Sequence, residues 1–483
     1  MAQNENKSGH IIMVPFLARG HLIPFLALAR KIQQRTNVTI TIATTPLNVQ
    51  YLQSSISSTT NLHLAELPFN PTQHGLSANV ENTEKASLVD NLKIGNATLS
   101  LEAPLHSLIS RITQEEGHPP LCIISDLLLG WVNNVSTSFG TRNITFTTCS
   151  AYGSLAYMSI LFNLPHRKTD SDEFCLPWFP QNYRFQRSML HRYLREADGN
   201  DAWSRFFLPQ FELSMKSNGW ICNTVEEIEP LGLQLLRKFL KLPVWTVDSL
   251  MLPTTLKCSN AKQPGIAIEA CIEWLNSKDE NSVLYICFGS QNSISESQMM
   301  ALAEGLQESG KSFIWVIRPP FGFDMNGEFK EEWLPTGFGE RMRNTKQGLL
   351  VRNWAPQLAI LSHISTGAFL SHCGWNSVLE SLSNGVPLIG WPLAAEQAFN
   401  VKMLVEDKGV CVELTRTVES IICGDDVKKV IEIVMDHEGK GKEMKEKANE
   451  IAQHIRMAHS EKGKIKGSSV KSIDDFARTI LSS

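Results

Sequence analysis

Short runs of consecutive apolar residues alternate along this chain with longer stretches in which apolar positions return every three or four residues. His10–Phe16 (HIIMVPF), Val38–Ala43 (VTITIA) and Leu121–Ser125 (LCIIS) are of the first kind. Continuous apolarity over so few residues is what a parallel strand covered on both faces requires. Leu22–Gln34 is of the second kind and predicts a helix, with Lys31 and Arg35 near its end, where cations suit the helix dipole. The rhythm then breaks. Pro243–Pro264 is rich in Pro, Ser and Thr and reads as a linker. A second series follows. Ile272–Asn276 closes a helix, Val283–Phe288 (VLYICF) predicts a strand, Ser295–Glu308 a helix and Ser312–Ile317 (SFIWVI) a strand. Gly348–Arg352, Ala368–Leu370 and Pro387–Gly390 are further short strands. Such alternation builds parallel sheets with helices on both faces. The expected fold is therefore α/β, with two doubly wound domains at 1–249 and 263–466 joined by a linker at 250–262. Asp436–Lys466, rich in Lys and Glu, predicts a solvated amphipathic helix, and Ser469–Leu481 another.

Length agrees with two domains, since 483 residues exceed the ~250–300 at which single cores stop growing. The balance of 45 basic and 49 acidic side chains gives a net charge of -4, which argues against a nucleic-acid partner. Ten cysteines show no C-x-x-C pair, which argues against a zinc ribbon or a thioredoxin-like centre. Several, such as Cys122 and Cys287, lie in apolar runs and read as small hydrophobes. The first ten residues, MAQNENKSGH, have no apolar stretch of the secretory kind, and nowhere do about 18 apolar residues run together. A cytosolic protein without membrane insertion is expected.

Candidate chemistry sits where open α/β sheets bind ligands, beyond the carboxyl ends of strands. His21 follows the first strand, in the loop that opens the first helix, and Asp126 follows LCIIS. A neutral imidazole can take a hydroxyl proton, and a carboxylate on its other nitrogen would fix the tautomer. The alternative is that His21 caps a helix and Asp126 ends a strand. In the second half, Ser371-His372-Cys373-Gly374-Trp375-Asn376-Ser377 forms a small-residue turn that opens a helix, either a ready anion site or an ordinary capped turn between strand and helix. His372, Asn376 and Ser377 carry donors for a phosphate. Phe288-Gly289-Ser290 is a second such turn, and the two could clamp one diphosphate. Trp354 offers an indole to a base, worth ~1–3 kcal/mol, unless it is a core residue. Glu380 could accept ribose hydroxyls, and Glu396 and Gln397 sugar hydroxyls, or all three are ordinary helix polarity. Gly305–Ser312 matches the P-loop string, but with helix first and strand second, the reverse of what phosphate binding there needs.

The 44 residues Trp354–Gln397, WAPQLAILSHISTGAFLSHCGWNSVLESLSNGVPLIGWPLAAEQ, resemble the signature box of plant UDP-dependent glycosyltransferases of family 1. GHLIP near the start, Ser125-Asp126, FGS at Phe288–Ser290 and LPTGFGER at Leu334–Arg341 support the match. The resemblance implies the GT-B architecture, two Rossmann-like domains facing a cleft. The N-terminal domain would take the acceptor and the C-terminal domain UDP-sugar, with the final helix, 467–483, packing back on the former. It implies His21 as general base with Asp126 as its partner. It implies Trp354 stacking on uracil, Ala355 bonding uracil through its backbone, and Gln357 and Glu380 holding the ribose. Ser290, His372, Gly374, Asn376 and Ser377 would surround the diphosphate, and Trp375, Glu396 and Gln397 the sugar. Gln397 at the end of the box is associated with UDP-glucose. The implied reaction inverts configuration, with UDP-glucose as co-substrate, no cofactor and no metal. The acceptor would be a small lipophilic metabolite such as a flavonoid, terpenoid or phenolic, and the chain a monomer. Phe174–Phe179 and Trp203–Phe207 would either wall the acceptor site or cover the core. A nucleotide-sugar epimerase and a non-catalytic UDP-sugar sensor are the rival functions. The chain departs from the family at Asp248-Ser249-Leu250, where GPL is common, at Arg19, where glutamine is frequent, and at Cys287, where serine is common.

Overall fold

The computed structural model describes residues 9–56, 61–84, 86, 88–248, 265–325, 327–417, 419–461 and 466–482. The expected linker 250–262, with Ser249 and Leu250 of the family departure, and the first eight residues lie outside the described residues. The chain divides into two compact units. One is drawn from 1–184, 196–260 and 457–483, the other from 185–195 and 261–456.

In the first unit, β1 (His10–Val14), β2 (Thr39–Thr44), β3 (Leu62–Glu66), β4 (Cys122–Asp126) and β5 (Arg142–Thr147) enter one sheet. Two short strands, β6 (Glu173–Phe174) here and β7 (Phe185–Gln186) in the second unit, stand outside it. β8 (Trp220–Cys222) and β9 (Val244–Thr246) complete the order β3-β2-β1-β4-β5-β8-β9. All these pairings are parallel. Chain direction across the sheet reverses between β1 and β4, paired through Met13–Ile124 and Val14–Ser125. That is the switch point at which doubly wound sheets open a crevice. Ile11, Met13, Phe25, Ile124 and Phe146 are buried in one core cluster, which is completed by Ile473, Phe476 and Ile480 of the helix Ser468–Leu481. That helix is fastened to β9 by Trp245 Nε1 donating to Asp475 Oδ2 at 3.0 Å and Thr246 N donating to Ser472 Oγ at 2.8 Å. Such burial is worth ~1.5–3 kcal/mol for each large apolar side chain.

The first helix spans Arg19–Gln33, three residues earlier than its apolar periodicity predicts. Ala18 is the last extended residue (φ -146°), and Leu22 merely begins the buried face. His21 therefore sits in the first helical turn and not in a loop.

In the second unit, β10 (Val283–Cys287), β11 (Ser312–Ile317), β12 (Gly348–Arg352), β13 (Thr366–Ser371), β14 (Leu388–Gly390) and β15 (Cys411–Glu413) form a parallel sheet ordered β12-β11-β10-β13-β14-β15. Its switch point lies between β10 and β13, where Cys287 pairs with Ser371. The P-loop-like string is the C-terminus of the helix Glu296–Ser309, closed by Gly310 at φ 64°, and then β11. The stretch 185–195 packs in this unit, with Phe185 6.1 Å from Phe399 and Arg416 Nη1 donating to Gln186 Oε1 at 2.9 Å. Nine described cysteines are all free thiols, six of them buried.

Candidate active site

β1 and β4 are neighbours, so His21, shortly after β1, and Asp126, which is the last residue of β4 and not the first beyond it, are brought side by side although 105 positions separate them. His21 Nδ1 lies 2.7 Å from Asp126 Oδ2. The carboxylate is 1% exposed and the imidazole 19%. Asp126 is held in turn, its Oδ1 accepting from Leu128 N at 3.0 Å. An ionised carboxylate only accepts, which puts the ring proton on Nδ1 and makes Nε2 the basic nitrogen of the neutral ring. Thr148 Oγ1 stands 3.1 Å from the same Nδ1. It follows β5 directly, and the strand-end logic that points to His21 and Asp126 points to it equally, though the sequence offers no motif there. Phe16 lies against the ring at 5.4 Å.

In the second unit the two small-residue turns meet at the switch point. The His372 ring lies between them. A methyl group at Gly289 would come within 2.7 Å of its Cε1 and Nε2, and one at Gly374 within 2.5 Å of its Nε2. Both turns need glycine because the ring fills the space a side chain would take. Gly289 also has φ +76°, in the left-handed region. Burial pushes the imidazole down to about 4, against the nearby Cys287 backbone and with the Arg318 guanidinium adding to the shift, so it is neutral at physiological pH. The turn opens the nine-residue helix Trp375–Ser383, where Ser377 is buried and Asn376 half-buried. Ser290, half-buried, follows Gly289. Trp375 is itself buried.

Trp354 follows β12 with 40% of its surface exposed, which removes the core reading of this indole. Ala355 beside it is buried, its carbonyl already accepting from Gln357 N at 2.8 Å. Gln357 links to the helix Trp375–Ser383. Its Nε2 donates to Glu380 Oε2 at 2.6 Å and to Ser377 Oγ at 3.2 Å, while Tyr285 Oη of β10 donates to its Oε1 at 3.2 Å. Burial pushes the Glu380 carboxyl up to about 7, opposed by the Gln357 amide. Glu396 and Gln397 are both buried. Gln397 Oε1 accepts from Leu393 N and Ala394 N, each at 2.9 Å. Asn400 Nδ2 ties Glu396 Oε1 (3.2 Å) to the Cys373 carbonyl of the turn at 371–377 (3.0 Å). Tyr285 and Asn400 went unnoticed in the sequence because they act from within a strand and a helix, and Arg318 because it follows β11 with no motif to mark it.

The aromatic stretches of the first unit are mostly interior. Phe174, Leu176, Phe179 and Phe206 are buried, and Trp203 donates through Nε1 to Tyr157 Oη at 2.9 Å. Trp178 alone among them stands out, 48% exposed. No described helix is long and apolar enough to cross a membrane.

Known proteins resemble this arrangement across the whole chain. Residues 213–451 match the family described as UDP-glucoronosyl and UDP-glucosyl transferase. The chain is 39% identical to UDP-glycosyltransferase 92A1 of Arabidopsis thaliana, covering 99% of this chain and 98% of that one. It is 40% identical to crocetin glucosyltransferase 3 of Crocus sativus, covering 92% and 94%. Among solved structures, Medicago truncatula UGT71G1 complexed with UDP-glucose superposes with a TM-score of 0.81 at 25% identity, covering 99% of this chain and all of that one. Glycyrrhiza uralensis UGT73P12, complexed with glycyrrhetinic acid 3-O-monoglucuronide, gives 0.85 at 26% identity, covering 99% and 96%. The chain thus belongs to the plant UDP-dependent glycosyltransferases of family 1, enzymes of GT-B fold that transfer a hexose from a UDP-sugar to a small metabolite.

Proposed function

We propose that the enzyme transfers glucose from UDP-glucose to a hydroxyl of a small lipophilic metabolite, with inversion, using His21 as general base and Asp126 as its partner. The 2.7 Å bond between His21 Nδ1 and Asp126 Oδ2 carries this reading. It orients the ring and stabilises the imidazolium formed when Nε2 takes the acceptor's proton. The acceptor oxygen then attacks the anomeric carbon, the bond to the diphosphate oxygen breaks, and UDP leaves. The turn at 371–377 and the dipole of the helix Trp375–Ser383 would receive the departing charge. In this reading Ser290, His372, Gly374, Asn376 and Ser377 hold the diphosphate. Trp354 and Ala355 hold the uracil, Gln357 and Glu380 the ribose, and Trp375, Glu396 and Gln397 the glucose. Neutral donors and a helix N-terminus offset the phosphate charge, so no metal is invoked.

The test is incubation with UDP-glucose and a panel of flavonoid, terpenoid and phenolic aglycones, with and without excess EDTA. Products are read by mass and by the anomeric coupling in NMR. A β-glucoside formed equally in EDTA is expected. An α-glucoside would overturn inversion, and conversion of UDP-glucose to another UDP-sugar without acceptor would favour an epimerase.

Glu380 adds a pH dependence. Only its ionised form accepts both ribose hydroxyls, and its carboxyl sits at about 7 in the free protein. Binding therefore favours proton release. UDP-glucose affinity should be full well above pH 7 and fall by about tenfold per unit below it. Calorimetry without acceptor, from pH 5.5 to 8.5, measures this. Glu380→Gln should flatten the profile, and a flat profile in the wild type would remove Glu380 from the ribose.

A further inference from the structure

Arg318, the residue after β11, is 9% exposed, yet its guanidinium takes part in none of the ion pairs among the described residues. Its partners are two backbone carbonyls. Nε and Nη2 donate to the Asn353 carbonyl at 3.1 and 2.7 Å, and Nη1 donates to the Gly289 carbonyl at 2.8 Å. A buried cation with no carboxylate beside it is costly, and such groups persist where their geometry is used. Here the geometry is specific. Asn353 (φ 66°) and Gly289 (φ 76°) are both left-handed, and each stands one residue before a group assigned to the donor, Trp354 and Ser290. The turn after β12 and the turn after β10 share no strand pairing, since β11 lies between them. Arg318, at the end of that intervening strand, joins them. The adjoining pocket, lined by Gly289, Asn292, Ser293 and Arg318 among others, has room for no more than a water molecule, so it is no ligand site in its own right.

We propose that Arg318 is a positioning residue that brackets the uracil platform and the diphosphate turn at a fixed separation, so that one UDP engages both. The proposal rests on the donor-site assignment above. A planar fork bonding two carbonyls in different directions is something an ammonium does not reproduce. The bracket should matter only to a ligand that spans both turns. Uridine reaches one of them and inorganic pyrophosphate the other.

The experiment compares wild type, Arg318→Lys and Arg318→Met by calorimetry with UDP, uridine and pyrophosphate, alongside thermal unfolding and steady-state kinetics. Arg318→Lys keeps the buried cation and its stem and is the variant expected to fold. UDP affinity should fall at least about tenfold in both variants, while uridine and pyrophosphate change by less than about threefold. Donor KM should rise with kcat nearly unchanged. In the wild type, uridine alone should slow hydrogen exchange at the amides of Gly289 and Ser290, a readout needing no substitution. Wild-type UDP affinity in Arg318→Lys, an equal loss for uridine, or exchange unaffected by uridine overturns the bracket. A wild-type chain that binds no UDP overturns the donor-site assignment itself.

Discussion

His21→Ala should lose at least about a hundredfold in turnover while UDP affinity stays within about twofold of wild type. The two readouts separate because the imidazole belongs to the first unit and the groups assigned to UDP to the second. Positioned proton transfer contributes roughly 10²–10⁴-fold, and alanine removes all of it. Asp126→Asn sharpens the test. Asparagine keeps the shape but presents either an amide donor or a neutral oxygen to Nδ1. It neither fixes the tautomer as firmly nor balances the imidazolium. That variant should also lose turnover, by about tenfold or more, with donor KM unchanged. Thr148, 3.1 Å from the same nitrogen, gives a control, since Thr148→Val leaves the carboxylate in place. Steady-state rates on whichever aglycone the panel identifies, with UDP calorimetry alongside, settle the matter. Near-wild-type turnover of His21→Ala would refute the general base.

Gly289→Ala should abolish measurable donor binding or weaken it by at least about a hundredfold, in a protein that still folds. The backbone there has φ +76°, which costs a non-glycine residue roughly 1 kcal/mol. The added methyl would also lie 2.7 Å from the His372 ring, and forcing atoms into a filled space costs typically ~1–3 kcal/mol. Space around the ring is tight at the other turn as well, where a methyl group added at Gly374 would come within 2.5 Å of the same Nε2. Either the ring or the turn must shift, and both carry groups assigned to the diphosphate. Thermal unfolding should show a modest loss of stability while calorimetry shows the loss of UDP. Unchanged UDP affinity would mean that the turn after β10 takes no part in holding the donor.

Local pattern revealed part of each sheet, but β3, β5, β8, β9 and β15 went unread, β9 (Val244–Thr246) lying inside the stretch whose composition reads as a linker. β11 and β12 occupy the residues their apolar runs predict, β11 as a strand buried along nearly its whole length and β12 as a half-buried edge strand bounded by Gly348 and Arg352. The small-residue turn at 371–377 was legible as the opening of a helix, which Trp375–Ser383 is. Contacts across the sheet were not legible. That His21 meets Asp126 depends on β1 pairing with β4, and residue spacing says nothing of strand order. The start of the first helix was misplaced because apolar periodicity reports the buried face, which begins at Leu22, and not the first helical residue, Arg19. Trp354 could be told from a core tryptophan only by its exposure. Arg318 looked like an ordinary polar residue ending a strand. Its meaning lies in two carbonyls 29 and 35 positions away.

The helix Ser468–Leu481 belongs to the unit that the chain begins. On the ribosome, the β1–β9 sheet emerges long before the segment that covers it. At roughly 5–20 residues per second, the more than two hundred residues after β9 take tens of seconds to translate. Throughout that interval the surface destined for Ile473, Phe476 and Ile480 has no cover of its own. The half made first is thus the half finished last, and a message ending before Ser468 would release a protein with an open flank, a substrate for chaperones and proteases.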